Sequence, residues 1–195
     1  MVSLMQRRRE MIAASGDNSP EWDFEWIPSM GNPENNGLAL STQGAYTVNL
    51  YSTHLSVTQG GSSNYVIYKY PNTYQTGVAE YRVWLTGSNA KFYLYFGNGE
   101  YGIGVRFQYS TNYKGIYLGP SLSTNLITAE LNTLYKIKLV LKGTLGDVYV
   151  DDVLLANDVD VTSMAASDLR CAFQATGNTQ KSGRIYSIRY KFNRY

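Results

Sequence analysis

The alternation of apolar and polar positions begins at residue 21. Trp22, Phe24 and Trp26 take every second place, with Glu21, Asp23 and Glu25 between them. The same period of two recurs in Tyr46–Leu50, His54–Val57, Tyr65–Tyr70, Val78–Leu85, Lys91–Phe96, Ile103–Tyr109 and Gly115–Leu118. It returns in Tyr135–Leu141, Asp147–Val150, Val153–Leu155, Leu169–Ala175 and Arg184–Phe192. Successive side chains on a strand point to opposite faces, so each run predicts a strand with one apolar side. Gly, Asn, Pro and Ser break the runs at intervals of about 8–12 residues, the spacing of an all-β sandwich. Roughly a dozen strands follow, in one domain over residues 21–195. No fixed repeat runs through them, which argues against a propeller or solenoid. The expected fold is all-β: a two-sheet antiparallel jelly-roll sandwich.

Residues 1–20 read differently. Leu4, Met5, Met11 and Ile12 recur at helical spacing over residues 2–14, and Ser15 to Pro20 stop the run. A helix this short is marginal alone. Three fates are open to it: docking on the domain, pairing with copies of itself into a homo-oligomer, or fraying as a tail.

Alternation also assigns faces. In Val78–Leu85, Tyr81, Val83 and Leu85 form one side, and Glu80, Arg82 and Trp84 the other. In the next two runs Phe92, Leu94, Phe96, Ile103, Val105 and Phe107 are core, leaving Tyr93, Tyr95, Arg106 and Gln108 outside. Consecutive strands usually neighbour one another. The expectation is therefore one outer surface carrying Trp84, Arg82, Glu80, Tyr93, Tyr95, Arg106 and Gln108. Two readings of it stand. An aromatic platform with Arg, Glu and Gln around it suits a sugar, stacking on its apolar face and bonding its hydroxyls. Tyr, Trp and Arg are also the residues that dominate protein interfaces.

Composition narrows the classes. Only 16% of the 195 residues are charged, and Tyr occurs 18 times. That mix favours strands, and it also resembles binding surfaces where Tyr offers a flat face plus a hydroxyl. The net charge of +2 provides no general polycation for nucleic acid, and Arg7-Arg8-Arg9 is the one basic cluster. A single cysteine, Cys171, excludes an intramolecular disulfide; Leu169, Cys171 and Phe173 share a face, so it reads as a small buried hydrophobe. With His54 the only histidine, a Cys/His nucleophile or a zinc site is improbable. Residues 1–15 lack the apolar stretch of a signal peptide, and no segment reaches transmembrane length. Synthesis in the cytoplasm and no membrane insertion are the expectations. Asp147, Asp151, Asp152, Asp158 and Asp160 invite a calcium reading, although they fall in short turns, where Asp is common anyway. No cofactor is otherwise indicated.

Leu134 to Leu139 followed by Asp147-Val148-Tyr149-Val150-Asp151-Asp152-Val153-Leu154, and the closing Gly183 to Tyr190, resemble a concanavalin A-like lectin/glucanase (laminin-G-like) domain. Asp152 stands where that family usually has Gly. The resemblance covers roughly residues 75–195 and implies the jelly roll; the fold hosts lectins, hydrolases and structural modules alike. Met5 to Met11, Trp22 to Trp26 and Gly31 to Gly37 are similar to the openings of uncharacterised phage and prophage proteins of gut bacteria. This implies a virion or tail-associated module that engages a host cell-surface polysaccharide.

The first resemblance bears on Glu21-Trp22-Asp23-Phe24-Glu25, because laminarinase-type glucanases of that fold carry their catalytic carboxylates as E-x-D-x-E. It implies Glu21 as nucleophile, Asp23 as helper and Glu25 as acid/base. Retention needs carboxyls about 5–5.5 Å apart. Positions four apart on a flat strand are roughly 13 Å apart, so the pair converges only on a curved strand. The motif also opens the domain instead of lying mid-chain, which favours the acids as solvated partners of a core-plugging Trp-Phe-Trp set. Three functions remain: a non-catalytic glycan-binding module, a retaining glycoside hydrolase, and a structural virion module with an aromatic interface.

Overall fold

The computed structural model describes residues 22–59, 64–119, 124–164, 168–175 and 181–193. The helix expected over residues 2–14, the oligomer it would form, and Glu21 lie outside the described residues.

Among the described residues, fifteen strands build two antiparallel sheets. In the first sheet are β1 (Phe24–Trp26), β3 (Tyr46–Leu50), β4 (Leu55–Gln59), β6 (Thr76–Leu85), β11 (Tyr135–Lys142), β12 (Leu145–Val150), β13 (Val153–Asp160) and β15 (Lys181–Phe192). Its order is β13-β12-β11-β6-β15-β4-β3, and β1 continues the β4 side of β15. The second sheet holds β2 (Ala39–Gln43), β5 (Asn64–Tyr70), β7 (Ala90–Gly97), β8 (Gly102–Tyr109), β9 (Lys114–Leu118), β10 (Thr124–Thr128) and β14 (Leu169–Ala175), in the order β10-β9-β8-β7-β14-β5-β2. This is the jelly-roll sandwich that the alternation predicts.

The core lies between the sheets and is aromatic. Tyr81, Val83, Leu85, Ile137, Leu139, Ile188 and Tyr190 of the first sheet meet Phe92, Leu94, Phe96, Val105, Phe107 and Phe173 of the second, all fully buried. The Tyr81 hydroxyl crosses the gap and donates to the backbone carbonyl of Tyr95 at 2.6 Å; it also pairs with the Tyr190 hydroxyl at 3.3 Å. Burial pushes the Tyr81 phenol well above its ordinary range, so it stays a donor. Ile185 and Ile188 both face this core although three residues apart, a spacing no regular strand allows. A bulge at Tyr186 absorbs the extra residue and turns its ring to the outer side.

Two 3-10 turns, Pro28–Met30 and Pro33–Asn36, follow β1. They pack Pro28 and Pro33 inward, and the Trp26 indole donates to the Gly31 carbonyl at 2.8 Å. Two of the three expected plug residues enter the core, Trp26 fully buried and Phe24 nearly so; Trp22 is half-buried outside it, beside Arg189.

Cys171 lies on β14 with its thiol in the core, where burial pushes its pKa up. It is the chain's one thiol, so labelling it reports global opening. Thiol reagents are expected to leave the native protein unmodified. Labelling in urea should follow the unfolding transition seen by circular dichroism; fast labelling without denaturant would show that β14 opens locally.

Candidate functional site

The expected single surface is two surfaces. β6 lies in the first sheet between β11 and β15, while β7 and β8 lie in the second. The connection through Thr86–Asn89 passes from one sheet to the other instead of folding a hairpin. Glu80, Arg82 and Trp84 therefore face outward on one side of the sandwich, and Tyr93, Tyr95, Arg106 and Gln108 on the opposite side. That corrects the expectation that all three strands neighbour one another: β7 and β8 do, and β6 does not.

On the first sheet the outward groups are already engaged with each other. Arg189 of β15 stands directly between Glu25 of β1 and Glu80 of β6, at 2.9 and 3.1 Å. Glu80 is only 8% exposed, so this pairing is what makes its burial tolerable. The Arg189 guanidinium also lies 5.9 Å from the Trp22 ring centroid. Trp84 stacks against Tyr186 at 6.1 Å, and Arg184 sits 4.9 Å from its ring centroid. His54 and Tyr51 continue the row at 5.5 and 4.8 Å. Partial burial, then the Arg184 charge, lower the His54 pKa below the ordinary histidine value. Arg82 is exposed.

The acidic motif is drawn into this architecture. An Asp23 carboxylate oxygen accepts the backbone N–H of Phe192 at 2.7 Å and ties the end of β15 down. Glu25 sits on a three-residue strand against Arg189, which it shares with Glu80.

The five aspartates are similarly committed, and only Asp151 and Asp152 lie in a turn; Asp147 is in β12, and Asp158 and Asp160 are in β13. Asp147 and Asp158 both pair with Lys142, at 2.9 and 2.6 Å. Asp152 pairs with Lys136, whose backbone N–H donates to Asp151 at 2.9 Å. Asp160 accepts from Thr162. Among the described residues no three His, Cys, Asp or Glu side chains are grouped to hold a metal ion.

The second sheet's outer face is built differently. Pairing across the strands lines up Ile67, Ala172, Tyr93, Arg106, Tyr117 and Asn125 in one transverse row. The next row runs Lys69, Arg170, Tyr95, Gly104. On the other side come Gln174, Lys91, Gln108 and Gly115. The Asn125 side chain lies over Gly115, where an added Cβ would come within 2.6 Å of its Oδ1.

Tyr93 is the centre. Its ring meets that of Tyr95 edge-on at 6.2 Å, with Lys91 Nζ and the Arg106 guanidinium 5.4 and 5.7 Å from its centroid. Arg106 Nε donates to Gln108 at 2.6 Å, and Gln108 donates on to Ser110 at 3.1 Å, which fixes both side chains along the strand. Tyr95 and Tyr117 point away from the core yet are only 4% and 6% exposed. Arg170 covers Tyr95 at 5.1 Å and is itself held by Asp168, with Lys69 as that carboxylate's second partner at 3.0 Å. Burial pushes the Tyr95 phenol up to about 12 against the pull of Arg170, so it is a neutral hydroxyl at physiological pH. Burial would raise Asp168, but its bonds to Arg170 and Lys69 outweigh that and hold it below the usual carboxylate value.

Four participants escape the sequence reading. Tyr117 and Lys91 were recoverable, since each alternates with core positions in its own strand. Arg170 and Asp168 were not, because β14 inserts between β7 and β5 from more than 70 residues away.

No protein-family model matches the chain, and no curated protein does. Solved structures do. A sialidase superposes with a TM-score of 0.61 at 14% identity, over 82% of this chain and 17% of its own length. The Bacillus licheniformis β-glucanase gives 0.57 at 14% identity, covering 90% of this chain and 100% of its own. The metal-free carbohydrate recognition domain of Emp46p gives 0.56 at 10% identity, covering 88% and 98%. These neighbours define the class of fold: a concanavalin A-like jelly roll of the kind found in lectins and glucanases. The chain spans less than a fifth of the sialidase, and at these identities the likeness is one of fold.

Proposed function

We propose that the protein is a non-catalytic carbohydrate-binding module whose site is the outer face of the second sheet. The observation that carries this is the half-buried Tyr93 ring on β7, backed edge-on by the buried Tyr95 and framed by Arg106 and Gln108 of β8. Aromatic rings offer a face to a pyranose, and the fixed amide and guanidinium donors suit its hydroxyls. The fold neighbours include a carbohydrate recognition domain and a β-glucanase, which supports a saccharide as the ligand class. Hydrolysis with retention calls for two carboxyls about 5–5.5 Å apart. The outward positions of β7, β8 and β9 are Lys91, Tyr93, Tyr95, Gly97, Gly102, Gly104, Arg106, Gln108, Gly115 and Tyr117, none of them acidic. Carriage on a phage particle belongs to the same proposal and rests on the resemblance in residues 5–37.

The test is a glycan array followed by titration of a binding sugar. Tyr93→Ala is expected to weaken binding about tenfold or more, the equivalent of about 1.4 kcal/mol. Trp84→Ala, on the opposite side of the sandwich, should leave affinity unchanged. Retention of affinity by Tyr93→Ala together with its loss in Trp84→Ala would move the site to the first sheet.

A further inference from the structure

Among the described residues each sheet of the sandwich ends in two edge strands, and the two sides of the molecule treat their edges differently. On one side the edges are β13 and β10. Both are irregular, because their pairing with β12 and β9 passes through register shifts. β13 also carries Asp158 and Asp160. Bulges and charges are the usual means of keeping one edge from pairing with another. On the other side the edges are β3 and β2, and neither has such a defence. Their registers against β4 and β5 run without a shift. The sequence holds no Asp, Glu, Lys or Arg from Asn35 to Tyr68, a stretch that includes both strands. β3 is exposed along its length apart from the half-buried Val48.

β3 also matches itself. The Tyr51 N–H donates to the His54 carbonyl at 2.9 Å, and bonded and non-bonded positions alternate along an antiparallel pair. Thr47 and Asn49 therefore turn their backbone groups to β4, while Tyr46, Val48 and Leu50 turn theirs to the open edge. Reversed about Val48, the strand sets Tyr46 against Leu50 of a second copy, Val48 against Val48, and Thr47 against Asn49. Each open N–H of those three residues then meets a carbonyl. Tyr46 and Leu50 are 41% and 37% exposed on the inner face of β3, which the second sheet leaves largely uncovered, and in this register they cover each other. Thr47 and Asn49 meet on the outer face as a polar cross-strand pair, and no like charges are opposed. We propose that two copies of the chain pair antiparallel through β3, about a twofold axis at Val48, and join their first sheets into one. Such an interface is closed, since the same patch serves both copies. The axis stands perpendicular to the sheet, so the second sheets of both copies face the same way. On the carbohydrate reading above, the dimer presents two Tyr93 surfaces to one glycan layer; the pairing itself does not depend on that reading.

Sedimentation equilibrium of the full chain over a range of concentrations reads the mass, and a concentration-dependent dimer is expected. Thr47 and Asn49 are exposed, so both can be changed without disturbing the core. Thr47→Lys with Asn49→Lys sets lysine opposite lysine at two places in the seam and should raise the dissociation constant about tenfold or more. Thr47→Glu with Asn49→Lys sets opposite charges together at the same two places and should keep the dimer. Melting midpoints of both variants, read at a concentration where all are monomeric, should stay near that of the parent. A full chain that remains monomeric at its highest soluble concentration overturns the proposal. So does a dimer indifferent to both pairs of substitutions, which would place the contact elsewhere, residues 2–14 included. Open-ended association would mean that another edge pairs instead, and dissociation of both variants would overturn the register about Val48. On an immobilised glycan the double-lysine variant should also release faster than the parent, with unchanged affinity for the same sugar in solution. An intact dimer that binds no glycan would sink the carbohydrate reading and leave the pairing standing.

Discussion

Trp26→Ala is expected to lower the melting midpoint by about 10–20 °C. The indole is fully buried and fills the space between β15 and the two 3-10 turns. Truncating a large buried aromatic costs about 3–5 kcal/mol. The Gly31 carbonyl loses its donor as well; Gly31 is half-buried, so water recovers part of that and the added loss is about 1 kcal/mol. At about 2–4 °C per kcal/mol for a chain of this length the range follows. Trp26→Phe keeps most of the contact area and should cost clearly less. Scanning calorimetry on the two variants decides; a shift of a degree or two for alanine would mean that β1 is peripheral and that the domain folds without its first strand.

Gly77→Ala is expected to be at least as damaging, for a different reason. Gly77 opens β6 at φ +150, and a Cβ there would lie 2.2 Å from the backbone carbonyl oxygen of Lys191. Its partner is backbone in the longest strand, so neither side can yield cheaply. A loss above about 4 kcal/mol, in the range reserved for such clashes and strain, is expected. Gly143→Ala provides the comparison: φ is +72 but nothing lies within 4 Å of the added Cβ, so only the left-handed penalty of about 1–2 kcal/mol applies. Chemical denaturation of both variants separates backbone conformation from contact. Equal stabilities would show that the approach of β15 to Gly77 is slack.

The strands that the sequence makes legible are those with one buried face. Val78–Leu85, Lys91–Phe96 and Tyr135–Leu141 alternate cleanly because Tyr81, Phe92 and Ile137 with their companions are in the core. Ala39–Gln43 and Thr124–Thr128 escaped because they are the outermost strands of the second sheet; both are largely exposed, so no apolar period is imposed on them. β13 runs five residues beyond its expected end at Leu155, through register shifts that break the alternation. For the candidate site the same rule supplied half of the answer. Tyr93, Tyr95, Arg106 and Gln108 were correctly placed outside, because facing is a local property of a strand. Their separation from Glu80, Arg82 and Trp84 was not legible, since alternation carries no information about which sheet a strand joins. Glu25 shows the converse. Its residue type and spacing suggested chemistry, and only the pairing of β1 with β15 reveals that Arg189 claims it.

The hydroxyl of Tyr81 makes the proposed binding surface dependent on the far side of the molecule. It reaches across the sandwich to the backbone of Tyr95 itself, and the sheets cannot slide past one another without breaking that link. The position of the aromatic pair on β7 is thus inherited from the packing of β6 and β15 behind it. If that face is the binding surface proposed above, variation has two places to act on it: the rim, which changes what is grasped, and residues 81 and 190, invisible from outside, which set how firmly the surface is held in place.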